Sequence, residues 1–173
     1  MKTYTHLCRI FLAGLFVLAP FASAHAGDVT TTDQLFVKAA YQSGLANARL
    51  GELAADKTGN ADVKAFATRL IADQGKDNAE LKTLADTKGL SLVNSPSTVA
   101  LANAKILEGK AGVDFDKTFA AHMVNDRKKT VETFERAGTQ TQDTDIRAFI
   151  TKALPTLKGH LAGAQTLQDK VGR

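Results

Sequence analysis

The sequence predicts an all-α chain, and three observations lead there. Four long stretches carry apolar residues at spacings of three and four, the period of one helix face, and none alternates in twos. One helix type occurs twice: D-I-R-A-F-I-T-K-A-L from Asp145 repeats D-V-K-A-F-A-T-R-L-I from Asp62, at a constant offset of 83 residues. The links within the first and second pairs of long helices are short, which makes antiparallel neighbours, while the link between the pairs is long. Together these give a ferritin-like four-helix bundle: two antiparallel hairpins joined by a crossover that carries a short extra helix. A simple up-down bundle is the alternative. Composition agrees, with no Trp, two Tyr and three Pro among 173 residues.

Residues 1–26 read as a secretory signal peptide. Lys2, His6 and Arg9 make a basic start, and Ile10 to Ala22 is mostly apolar. Ala22-Ser23-Ala24 and Ala24-His25-Ala26 are small-x-small cleavage sites. The run is short for a span of about 20 apolar residues, and no later segment could cross a bilayer. The mature chain is therefore expected to begin near His25 or Gly27, in the periplasm or outside the cell, with 27–173 as the bundle domain. Cys8, the one cysteine, lies before the apolar run, so the mature chain has no disulfide, thiolate site or cysteine nucleophile.

Thr31 and Gln34 have capping-box spacing for a first helix over about Thr32 to Lys57. Its face is Leu35, Phe36, Ala39, Ala40, Ala46, Leu50, Leu53 and Ala54. Thr58-Gly59-Asn60 stops it and caps the next, over about Ala61 to Lys88. There Val63, Phe66, Ala67, Leu70, Ile71, Leu81, Leu84 and Ala85 line one face, interrupted by Gln74 and Asn78. Gly89 ends that helix, with Leu90 placed for the contact after the cap. Ser95-Pro96 opens a short helix to about Leu107, and Gly109 to Gly112 breaks it. Asp114 caps a third long helix from Phe115 to about Arg136, its inner line Phe115, Phe119, Met123, Thr130 and Phe134. Ala137-Gly138 ends it. The fourth long helix starts near Thr144 and carries His160 on its apolar face; Pro155, inside it, is expected to bend it.

The formal charge is +4, and Lys2 and Arg9 fall in the signal, leaving two positive charges in excess. Arg127-Lys128-Lys129 is the densest basic cluster and reads as exposed helix surface. No aromatic residues interleave with basic ones, so nucleic acid is not an expected partner.

A ferritin-like bundle raises the question of a di-iron site, built from inward Glu residues and Glu-x-x-His pairs. No Glu-x-x-His occurs after Glu52, Glu80, Glu132 or Glu135. Gly-x-Ser-x-Gly and phosphate-loop patterns are also absent, so no catalytic or cofactor-binding residues are assigned. What remains is a structural polar layer of Gln74, Asn78, Arg127 and His160. A metal, if one binds, would draw on His160, His122, Asp126, Asp77 and Asp73; the repeat makes Asp77 the counterpart of His160. Gly44, Gly51, Gly75, Gly159 and Gly163 lie inside helices, where glycine permits close contact.

Several motifs resemble the domain-of-unknown-function 4142 family of exported bacterial proteins, often labelled outer membrane proteins. They are Phe66-Ala67-x-Arg69 with Asp73, Phe119 with Met123-Val124-x-Asp126, Phe134-Glu135, and Leu154-Pro155-x-Leu157-x-x-His160-Leu161. The resemblance covers about Asp33 to Gln168. It implies a ferritin-like fold and an exported location, and brings no reaction. Many members have Asp-His where this chain has Asp73-Gln74 and Asp126-Arg127. Nothing in the chain alternates like a barrel strand.

The expected function is that of an exported, non-catalytic binding or structural module, with envelope stress as one setting. The alternative is a metal-binding or redox protein with a degenerate site around His160 and His122, iron or zinc being the ion. The protein or small-molecule partner and the oligomeric state are left open.

Overall fold

The structure is a computed structural model that describes residues 29–173. The signal peptide expected over 1–26 lies outside the described residues. Five helices follow in order: α1 (Thr31–Lys57), α2 (Ala61–Thr87), α3 (Thr98–Glu108), α4 (Gly112–Gln140) and α5 (Thr144–Gly172). No described helix is long and apolar enough to cross a membrane.

Ion pairs at the helix ends fix the topology. Lys88, at the end of α2, donates to Asp143 (2.7 Å) and Asp145 (2.6 Å) at the start of α5. At the other end of the bundle Lys170 of α5 bonds to Asp62 of α2 at 2.7 Å, and Thr58 after α1 donates to Asp116 of α4 at 2.6 Å. α2 therefore runs parallel to α4, and α1 to α5. Parallel α2 and α4 force their connection to travel the length of the bundle, and α3 lies on that connection. This is the ferritin-like order rather than the simple up-down one.

Several helix ends differ from the sequence reading. The cap of α1 is Thr30, not Thr31: its hydroxyl accepts from Asp33 N at 3.1 Å, and Asp33 Oδ2 accepts from Thr30 N at 3.1 Å. An aspartate thus closes the capping box expected of Gln34. Ser97 rather than Ser95 caps α3, leaving Pro96 outside it. α4 starts at Gly112, whose φ of +52° suits glycine, and Asp114 sits in its first turn bonded to Lys110 instead of capping it. Gly138 does not end α4. A Cβ there would lie 3.1 Å from Ile150 Cγ2, so the glycine admits α5 and the helix runs on to Gln140. Gly89, by contrast, closes α2 as expected, at φ +67° with Leu90 N bonded to Ala85 O. α5 is helical through Pro155, which is exposed.

The inward face of α1 is turned from the expected one. Leu35 is 63% exposed and Ala39 is also exposed, while Val37, Tyr41, Gly44, Asn47 and Gly51 are buried. Small residues explain the turn: α1 lies so close to α2 that a Cβ on Gly44 would meet Asn78 Oδ1 at 2.0 Å, and one on Gly51 would meet Ile71 Cγ1 at 2.8 Å. Gly44→Ala is therefore expected to lose about 1–2 kcal/mol by overpacking, although alanine is the better helix former. In an Asn78→Ala background the same change should cost nothing. Urea unfolding of the four proteins of that cycle checks it, and equal costs in both backgrounds would refute the contact.

Apolar packing forms two clusters. One, around Phe36, Leu81, Phe134 and Ile150, fills the end where α1 starts. The other, around Leu50, Leu70, Phe119 and Leu167, fills the end where α1 finishes. Between them lies a polar level formed by Asn47, Gln74, Asn78, Arg127 and His160.

Candidate functional site

Each long helix brings a polar residue to this level where its apolar period is interrupted. Gln74 and Asn78 follow Leu70 on α2, Arg127 follows Met123 on α4, and His160 follows Leu157 on α5. All four are buried, with Arg127 and His160 each only 1% exposed. Arg127 is the correction to the basic cluster: Lys128 and Lys129 are surface residues, but Arg127 turns inward. Asn47 of α1 completes the level and was missed. Its Nδ2 donates to Ser43 O at 2.8 Å, back into its own helix. A three-four reading through Tyr41, Gly44 and Asn47 would have found it.

Two side-chain pairs organise the site. His160 Nε2 lies 2.9 Å from Asp73 Oδ2, tying α5 to α2, and Arg69 Nε approaches the same oxygen at 3.5 Å. Arg127 Nε and Nη2 donate to Asp126 Oδ2 at 3.1 and 2.6 Å. The spatial partner of His160 is thus Asp73, one helical turn before its repeat counterpart Asp77. Asp77 is half-buried and lines a small cavity with Gln74, Asn78 and Arg127. His122, one turn before Asp126, is half-buried.

Burial lowers the His160 pKa from its ordinary value. The Asp73 hydrogen bond works the other way, and the Arg127 charge adds to the lowering. A neutral His160 gives its Nε2 proton to Asp73 and keeps Nδ1 as an acceptor. Burial also lowers the His122 pKa, against the pull of Asp126. For Asp77 burial raises the pKa, and Glu80 and Asp73 raise it further.

The polar level has four atoms without a protein partner: Asn47 Oδ1, Asn78 Oδ1, Arg127 Nη1 and His160 Nδ1. Among the described residues, no three His, Cys, Asp or Glu side chains gather closely enough to hold a metal ion. His160 with Asp73, and His122 near Asp126, remain separate couples. The seam between α1 and α4 is open, with a cleft of about 240 Å³ between Phe36, Ser43, Asp126, Lys129 and Phe134.

Fold and site together define a ferritin-like helical bundle whose middle level carries a buried guanidinium. The chain belongs to the family described as domain of unknown function DUF4142, which matches residues 18–167. Among curated proteins nothing matches. Among solved structures it is similar to the crystal structure of a DUF305 fragment from Deinococcus radiodurans. That likeness has a TM-score of 0.71 and 13% identity, and covers 84% of this chain and 98% of that one. At this identity the likeness is one of fold.

Proposed function

We propose that this protein is an exported, periplasmic module without a catalytic centre, acting as a binding or structural component of the cell envelope, with envelope stress as its setting. The observation that carries the reading is Arg127. Di-iron bundles place inward carboxylates and imidazoles on facing helices. Here the middle level holds a permanently charged guanidinium, which opposes a metal cation nearby. Export rests on the composition of residues 1–26. A second reading, a metal-binding or redox bundle around His160 and His122, is favoured by one observation: His160 Nδ1 is left as an acceptor.

Elemental analysis of the purified mature protein separates the two. No stoichiometric metal is expected; one iron or zinc per chain, lost in His160→Ala, would overturn the first reading. N-terminal sequencing of periplasmic material should begin near His25 or Gly27. A product starting at Met1 in the membrane fraction would refute export.

A further inference from the structure

Of the four unpartnered polar atoms at the middle level, Arg127 Nη1 and Asn78 Oδ1 belong to residues that line one cavity of about 20 Å³. Both side chains are buried. One is a donor on α4 and the other an acceptor on α2, so they belong to different hairpins. Natural interiors rarely leave buried donors and acceptors without partners.

We propose that this cavity is a binding site for one internal water molecule, which accepts from Arg127 Nη1 and donates to Asn78 Oδ1. The volume suits it, since a single water needs about 10–15 Å³ of such space and two to four polar partners. Gln74 and Asp77 line the same cavity and complete the set. Chemistry selects water over an ion. A halide would satisfy Arg127 but leave the Asn78 oxygen facing an anion. A cation would suit Asn78 but lie beside the guanidinium. Water alone offers both a proton and a lone pair. His160 with Asp73 is the direct polar link between the hairpins at this level; the water is a second, joining α4 to α2 through solvent.

The test is a crystal structure of the wild-type protein at a resolution that shows ordered solvent, from crystals grown in sodium bromide. One solvent peak within hydrogen-bonding distance of Arg127 Nη1 and Asn78 Oδ1, without anomalous signal, is the expected result. Bromide in the cavity would overturn the proposal, as would a dry cavity with Arg127 Nη1 turned onto Asp77. In solution, water-oxygen magnetic relaxation dispersion should count one fewer long-lived water in Arg127→Met than in wild type. An unchanged count in a folded variant would also overturn it. Should that variant fail to fold, the wild-type crystal still decides.

Discussion

Asp143→Ala is expected to destabilise the bundle by about 4 kcal/mol. The side chain has no exposed surface, yet every part of it is used. Oδ1 accepts from Asp145 N and Ile146 N, both at 3.0 Å, and so caps α5. Oδ2 takes the Lys88 ammonium that ends α2. Losing a cap costs about 1 kcal/mol. Removing one partner of a buried ion pair costs about 3–5, the lower end applying because Lys88 keeps Asp145. Asp143→Asn retains the cap and gives up the charge, so it should lose about 3 kcal/mol, recovering only the cap's share.

The pH dependence has a definite sign. Burial pushes the Asp143 pKa up, but Lys88 and the two backbone donors outweigh it and hold the pKa below the ordinary 3.8. Its contribution is therefore complete above that value and is lost as pH falls through the folded pKa. Urea unfolding across acid pH should show this loss in wild type and not in Asp143→Ala. A cost under about 1 kcal/mol at neutral pH would remove the clamp from the account.

His160→Ala is expected to lose about 3 kcal/mol, combining a cavity with the stranding of Asp73 in a half-buried position. His160→Gln keeps a donor for that carboxylate and should recover part of the loss. The imidazole also sets a second pH window, above that of Asp143. Its folded pKa lies below the ordinary 6.5, so the unfolded chain takes up the proton first. Stability is full above about pH 6.5 and falls as pH drops toward the folded value. His122 is shifted the same way and contributes to the same window. Replacing both by Gln should flatten it; thermal unfolding between neutral and mildly acid pH gives the measurement. Wild-type stability in His160→Ala would refute the structural role.

The bundle and its crossover were legible because periodicity, repeat and loop length are all local properties of the chain. Gln74 and Asn78 were legible as breaks in an otherwise apolar line, and His160 because it stands among leucines. Arg127 was harder, since in sequence it heads a run with Lys128 and Lys129, and only the rotation of α4 separates one inward residue from two outward ones. The partner of His160 could not be read from the repeat. Register relates α5 to α2 by sequence position, whereas the contact depends on how antiparallel helices slide past one another, and that slide brings Asp73 level. On α1 an alanine-rich run offers nearly equal faces. The choice between them is made by Gly44 and Gly51, whose importance comes from the neighbouring helix.

The repeated helices carry a hazard that the middle level answers. A chain with two similar hairpins could pair its first hairpin with the first hairpin of another copy, since the apolar ends of Asp62–Ile71 and Asp145–Leu154 are nearly interchangeable. The residues that follow are not: the repeat sets Gln74, Asp77 and Asn78 against Leu157, His160 and Leu161. Two first hairpins together would bring Asp73 no imidazole, while two second hairpins would bury His160 without its Asp73 acceptor. Only the unlike pair satisfies both sides. The polar level thus acts as a matching code that favours self-recognition within one chain over exchange between chains.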